Sequence, residues 1–225
     1  MDLFIKDLNV QVENLPLPIL SIPYLHIPAR SQVAILGPSG CGKTTLLNTI
    51  SGLINIQARQ LLWGNTDLTQ LSAAKRDIWR FTHIGIVLQE FYLTSGLSAL
   101  ENVLLPYSFT HWRISNNIKQ RAKMLLEQMG FTRFHSPAER LSRGEMQRIA
   151  IARALLLKPN IILADEPTAS LDLQNAKIIA QLLPQLSQQE QCTLIVTTHD
   201  LNLAEHFPRQ IYLANGQIER EEALC

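Results

Sequence analysis

The sequence predicts an α/β fold: a parallel sheet with flanking helices, a small antiparallel β layer beside it, and an inserted helical segment. Three observations carry this. Gly37-Pro38-Ser39-Gly40-Cys41-Gly42-Lys43-Thr44-Thr45 fits the phosphate-loop pattern G-x-x-x-x-G-K-[ST], placed between a short apolar strand and a helix. Downstream, apolar strand patterns alternate with helical ones, which implies parallel strands joined by crossovers. Residues about 90–158 break that alternation and read as helical.

Taken in order, Leu3-Phe4-Ile5, Ile19 to Ile27 and Val33 to Leu36 read as strands, punctuated by Pro16, Pro18, Pro23 and Pro28. Proline confines strands to edges and turns, so residues 2–35 predict a small antiparallel layer leading into the phosphate loop. Thr44 to Ser51 reads as a helix stopped by Gly52. Gln60 to Trp63 reads as a strand turned by Gly64-Asn65, residues 72–80 as a helix, and His83 to Leu88 as a strand delivering Gln89. Two helical patterns follow at 98–104 and 116–129. In the second, Ile118, Ala122, Leu125, Leu126 and Met129 share a face opposite Lys119, Arg121 and Lys123, a solvated basic face. A helix from Gly144 to Leu157 precedes the buried strand Asn160 to Asp165. A helix over about 172–187, a buried strand Thr193 to Thr197 and a helix start at Leu201 to Glu205 come next. Arg209 to Leu213 and Gln217 to Glu219 predict a hairpin around Asn215-Gly216. The expectation is a single domain over 1–225, with a helical subdomain at about 90–158.

Bulk composition narrows the function classes. A net charge of +1 gives no electrostatic case for nucleic acid. Three widely spaced cysteines suggest a reducing compartment rather than a disulfide framework. No apolar run approaches the roughly 18 residues of a membrane span; the most apolar helical stretch, Ile149 to Leu157, is interrupted by Arg153. No secretory signal opens the sequence. A cytosolic protein is expected, with any membrane role exercised through a partner.

The chemistry centres on polyphosphate. Glycines let backbone N–H groups crowd an anion without Cβ clashes. A helix start adds free N–H donors and a positive dipole end. Lys43 would place its ammonium on the β- and γ-phosphates, and the Thr44 hydroxyl would ligate Mg2+. Ile161-Ile162-Leu163-Ala164-Asp165-Glu166-Pro167 is an apolar strand ending in two carboxylates, at the strand end where ligands of open α/β sheets sit. Asp165 is placed to hold Mg2+, directly or through water, and Glu166 to act as general base on the attacking water. The plain alternative is an acidic strand end facing solvent. Leu141-Ser142-Arg143-Gly144-Glu145-Met146-Gln147-Arg148 opens an apolar helix with a capping box at Ser142 and Glu145. It is a well-capped helix, and its start can also present N–H groups to an anion. Cys41 lies inside the phosphate loop. It reads as a small space-filling residue rather than a redox switch.

Together these motifs resemble the ATP-binding cassette of ABC transporters. Walker A matches at 37–45, the Q-loop at Gln89, the signature at 141–148, Walker B at 161–166, the D-loop at Ala169-Ser170-Leu171-Asp172 and the switch histidine at His199. Their order and spacing cover almost the whole chain and imply a P-loop NTPase core. Val87-Leu88-Gln89-Glu90-Phe91, Leu97-Ser98-Ala99-Leu100-Glu101-Asn102-Val103 and Leu163-Ala164-Asp165-Glu166-Pro167-Thr168 are similar to the lipoprotein-releasing, macrolide-exporting and cell-division branch.

The resemblance implies an ATP-hydrolysing subunit with ATP and Mg2+ as cofactors, peripheral to the cytoplasmic face of the bacterial inner membrane. Its partners would be an integral membrane transporter subunit and a second ATPase subunit, a homodimer. Walker A, Asp165, Gln89, Glu166 and His199 would act on ATP bound to their own subunit. Gln89 would contact Mg2+ and the attacking water, and His199 the γ-phosphate. Ser142 and Gly144 would reach the partner's γ-phosphate, and Asp172 would sit at the dimer seam. The other implied role is an ATP-gated structural adaptor that transmits force to a membrane complex without transport.

Three departures from the family pattern stand out. Arg143 replaces the first signature glycine. Val12, Glu13, Asn14 and Leu15 offer no aromatic for the adenine, and Tyr24 is a poor positional match. Gln57-Ala58-Arg59 stands where the family commonly carries Ser-Gly.

Overall fold

Apolar side chains alternate along the central strands and cover both faces of one sheet. In the computed structural model, which describes residues 1–11, 17–57 and 59–223, that sheet has six strands. They are β3 (Gln32–Leu36), β6 (Ile84–Val87), β7 (Ile161–Asp165), β8 (Thr193–Thr198), β9 (Arg209–Ala214) and β10 (Gln217–Ala223). The spatial order is β10-β9-β3-β8-β7-β6, parallel throughout except that β10 pairs antiparallel with β9.

A second sheet has the order β2-β1-β4-β5, built from β1 (Leu3–Val10), β2 (Leu20–Ile27), β4 (Leu61–Trp63) and β5 (Thr66–Asp67), and is antiparallel. Pro23 sits in β2, the edge strand, where its missing N–H leaves no ladder bond unmade. One sequence expectation is corrected here. Val33–Leu36 does not belong to the antiparallel layer; β3 lies between β8 and β9 in the parallel sheet. Its four consecutive buried residues are the pattern of a strand covered on both faces rather than one.

The helices are α1 (Lys43–Ile50), α2 (Ala73–His83), α3 (Ala99–Ser108), α4 (Asn116–Gln128), α5 (Arg143–Leu155), α6 (Leu173–Gln189) and α7 (Leu201–Ala204). His83 ends α2 rather than starting the strand that follows. On one sheet face Val33, Ile35, Leu163 and Ile195 pack with Leu46, Leu47 and Ile50 of α1, and with Leu3, Ile5, Leu20 and Trp63 of the antiparallel sheet. So α1 is held between the two sheets. Trp63, fully buried, locks the arrangement by donating Nε1–H to the Ile50 carbonyl at 2.7 Å. On the other face Ala34, Leu36, Ile162, Ala164 and Val196 share a core with residues of α3, α4, α5 and α6. The helices α3 to α5 lie between β6 and β7 in the chain, within the stretch the sequence marks as helical.

The positions Val12, Glu13, Asn14, Leu15 and Pro16, the turn residue Ala58, and residues 224–225 lie outside the described residues.

Candidate functional site

Because β3, β6, β7 and β8 run parallel, their carboxyl ends open on one edge. Each delivers a residue singled out in the sequence: β3 leads to Gly37, β6 to Gln89, β7 to Asp165 and Glu166, and β8 to His199.

The loop from Gly37 to Gly42 is folded by its glycines. Gly42, at φ +108, is the residue before α1, in a conformation L side chains rarely adopt. A Cβ on Gly37 would fall 2.2 Å from the Leu213 carbonyl oxygen and 2.6 Å from Cys41 Sγ. Cys41 is buried and fills that corner, as a space-filling residue would. The start of α1 differs from those of the other α-helices. Ser72, Ser98, Ser115, Ser142, Asp172 and Asp200 each cap the helix they precede with a side-chain oxygen; α1 has no side-chain cap. Its first N–H groups and the loop that precedes them line a cavity of about 430 Å³ with Ser39, Lys43, Thr44, Thr45, Gln89 and Glu166.

Around Lys43 the polar groups are tightly engaged. Lys43 is 6% exposed; its Nζ donates to the carbonyls of Gly37 at 2.7 Å and Pro38 at 3.0 Å. It also pairs with Glu166 Oε1 at 3.3 Å. Asp165, 7% exposed, accepts from Thr44 Oγ1 at 2.8 Å and from Thr197 Oγ1 at 2.5 Å. Glu166 is left-handed at φ +45, its N–H donating to the Thr197 carbonyl at 3.0 Å. That kink turns its carboxylate across to His199, whose Nδ1 lies 2.9 Å from Oε2 and whose backbone N–H donates to the same oxygen at 3.3 Å. Gln89 is exposed just beyond β6, on the cavity wall. Nearest-neighbour contacts thus bring Lys43, Thr44, Asp165, Glu166 and His199 into one network.

Ser142, Gly144 and Asp172 gather elsewhere, none of them on the wall of that cavity. Ser142 Oγ accepts the Glu145 N–H at 3.3 Å while Glu145 Oε2 accepts the Ser142 N–H at 2.9 Å, completing the capping box. Gly144 abuts the start of α6: a Cβ there would fall 2.2 Å from Asn175 Oδ1. Asn175 in turn donates from Nδ2 to Asp172 Oδ2 at 2.6 Å and from its backbone N–H to Oδ1 at 3.0 Å. The backbone N–H of Asn175, with its side chain second, holds the Asp172 carboxyl below the ordinary carboxylate value. Tyr24 is exposed on the edge strand β2, opposite Lys6.

Three contributors escaped the sequence reading. Thr197 holds the second oxygen of Asp165; the polar Thr197-Thr198 pair at the end of an apolar strand was its signal. Gln147, fully buried, donates Nε2–H to the Pro167 carbonyl at 2.9 Å and so ties α5 to the residue after Glu166. Asn175 joins the two helix starts and has no local signal at all.

A family profile described as ABC transporter matches residues 21–169. Among curated proteins, the lipoprotein-releasing system ATP-binding protein LolD of Idiomarina loihiensis is 41% identical over 198 residues, covering 87% of this chain and 86% of its own length. The uncharacterized ABC transporter ATP-binding protein MJ0796 of Methanocaldococcus jannaschii is 42% identical over 206 residues, 89% of this chain and 87% of its own. A solved dimeric structure of MJ0796, described as a post-hydrolysis state bound to ADP and Pi, superposes with a TM-score of 0.87 at 35% identity, over 99% of both chains. The structure of cbiO1 from Clostridium perfringens, part of the ABC transporter complex cbiONQ, gives a TM-score of 0.87 at 25% identity, over 98% of this chain and 88% of that one.

Proposed function

The chain belongs to the ABC transporter family as its ATP-binding, ATP-hydrolysing subunit, and from that premise we propose how this copy works. It is a Mg2+-dependent ATPase of the lipoprotein-releasing type. It acts as a homodimer on the cytoplasmic face of the inner membrane, and it drives an integral membrane partner. Residues 1–225 form one nucleotide-binding domain, with about 90–158 as its helical subdomain.

One observation carries the site assignment: among the α-helices of the described residues α1 alone lacks a side-chain cap, and its bare start faces the cavity that Lys43 and Glu166 share. A triphosphate is the anion that fits. The N–H groups at the uncapped start of α1, residues 43–45, with those of the preceding glycines, would take its β- and γ-oxygens, and Lys43 Nζ would exchange carbonyl partners for phosphate.

The residues present fit a magnesium ion. The Thr44 hydroxyl and the Asp165 carboxylate are hard oxygen donors already in contact at 2.8 Å. Among the described residues no three His, Cys, Asp or Glu side chains gather as a metal cluster. That suits an ion held mainly by substrate phosphate and water, with few protein ligands. Bound there, it would neutralise charge on the phosphates. Thr44, Asp165 and Gln89 would hold it. Thr197 keeps Asp165 oriented.

Glu166 accepts the proton of the attacking water. His199 holds Glu166 Oε2 and would reach the γ-phosphate from the rim. Ser142 is exposed and Gly144 buried two residues on, both away from the Lys43 cavity, so they would serve ATP held by a second copy rather than by their own. Asp172, on that same side, sits at the seam. The homodimer reading is supported by the dimeric relative.

Dimerisation of Glu166→Gln on MgATP tests the reading by light scattering. The variant should convert from monomer to dimer with nucleotide. A strict monomer at every concentration would remove the two-copy site. The lipoprotein-releasing assignment is tested by purification from detergent-solubilised membranes, which should retain a membrane subunit of that system.

A further inference from the structure

Arg143 stands at the first position of α5, where the family pattern has glycine. Its Nε donates to the Ser170 carbonyl at 2.8 Å, two residues before Asp172. Its guanidinium carbon lies 5.3 Å from the centroid of the buried Phe91 ring, two residues after Gln89. One planar group thus touches both segments. The planar guanidinium offers both at once, an edge that donates and a cationic face that stacks.

The rest of α5 supports both contacts. Arg153 donates to the carbonyls of Phe91 at 2.6 Å and Tyr92 at 2.7 Å, and Tyr92 is left-handed at φ +46. On the other side Gln147 holds the Pro167 carbonyl at 2.9 Å and Arg148 Nη1 holds Asn175 Oδ1 at 3.2 Å. Without Arg143, the segment after Gln89 and the loop before Asp172 each still touch α5, but at points that no longer meet.

We propose that Arg143 is a positioning residue, a strut that sets the Gln89 segment and the Asp172 loop in register through α5. It acts on turnover through those segments and does not ligate phosphate. The proposal rests on the ATPase reading above, in which Gln89 serves one copy's nucleotide and Asp172 the seam. The competing use of the cation, direct contact with nucleotide on a second copy, makes opposite kinetic demands.

The test uses Arg143→Ala, Arg143→Gln, Phe91→Leu and the double variant Arg143→Ala/Phe91→Leu in the full chain. Hydrogen exchange without nucleotide comes first. The Thr94 and Leu171 amides donate to Asn102 Oδ1 and the Thr168 carbonyl, and so report on the two segments. Arg143→Ala should speed exchange roughly fivefold in both, leaving the β9–β10 hairpin unchanged. Steady-state turnover comes second. Arg143→Ala should lower kcat about tenfold, the loss expected for one charge-assisted hydrogen bond, with KM for ATP within about twofold. Phe91→Leu should cost less than about twofold once Arg143 is gone, because the pair acts as a unit. Arg143→Gln, which can still donate to Ser170, should fall between.

A raised KM with kcat intact would assign Arg143 to phosphate and overturn the strut. Faster exchange in only one segment, or additive losses, would overturn it as well. The exchange measurement is independent of hydrolysis: a wild-type chain without turnover sinks the ATPase reading while the coupled exchange still stands. If Arg143→Ala does not fold, Arg143→Gln and Phe91→Leu carry the same comparison.

Discussion

Lys43 Nζ and Glu166 Oε1 lie 3.3 Å apart, with side chains only 7% and 12% exposed. The phosphate-loop lysine is therefore the direct partner of the carboxylate assigned as base. Glu166 is held by a cation on one oxygen and by His199 on the other. In the proposed mechanism Lys43 must turn to phosphate before Glu166 Oε1 is free to meet the attacking water.

Replacing Glu166 with Gln should separate binding from chemistry. The amide keeps the shape but cannot take a proton. MgATP should still bind, and phosphate release should fall about 10²- to 10⁴-fold. Release within tenfold of wild type would remove Glu166 from the base role.

Asp165, the proposed metal ligand, also serves the fold. Its two oxygens are buried and accept two hydroxyls. Asp165→Asn puts an amide N–H against one donor, so stability should fall by about 1–3 kcal/mol in urea unfolding. Thr44→Val, at an exposed helix position, should cost less stability but raise the Mg2+ needed for half-maximal turnover. Unchanged Mg2+ dependence in Thr44→Val would exclude that hydroxyl as a ligand.

Two loop glycines should respond differently to alanine. At Gly37 the added Cβ meets backbone, the Leu213 carbonyl, at 2.2 Å, and the cost should be about 1–3 kcal/mol or more. At Gly40 there is open space, and only φ +80 opposes the change, about 1 kcal/mol. Thermal melts should rank Gly37→Ala well below Gly40→Ala; the reverse order would mean the loop relaxes freely around the new methyl.

Burial pushes the Cys192 thiol up to about 12 from an ordinary 9.0. At pH 8 the folded chain then carries only about 10⁻⁴ thiolate there, and iodoacetamide should spare Cys192 until denaturant is added. The sign of the pH dependence follows. The folded thiol keeps its proton longer than the unfolded one. Its contribution is therefore complete below about pH 9 and declines as pH rises from there toward 12. Rapid native alkylation of Cys192 at pH 8 would contradict this.

Much of the fold was legible because local signals agreed with the final arrangement. Ser142 announced a helix start with its capping box and caps one, and the helical patterns read over 98–104 and about 172–187 also open on capping residues. Asn215-Gly216 turns the last hairpin as its residue types require. Proline punctuation misled the reading of Val33–Leu36. Short range shows only that a strand is apolar; membership of a sheet is decided by β8 and β9, far along the chain. The site divided in the same way. Lys43, Asp165 and Glu166 sit in motifs whose residue types and spacing mark them as site candidates, and the fold brings the three together. Thr197, Gln147 and Asn175 act through contacts 32, 20 and 27 residues away in sequence, and no spacing rule reaches that far.

The left-handed turn at Glu166 inverts a familiar ranking. In helices and strands alanine outlasts glycine; at φ +45 the methyl group is the burden, so Glu166→Gly should melt above Glu166→Ala by about 1 kcal/mol of folding free energy. The backbone at this corner would rest more easily without any side chain. The carboxylate proposed as base thus stands at a corner where its own chain geometry opposes a side chain, and heat tolerance gained there by glycine should come with silence at the phosphate.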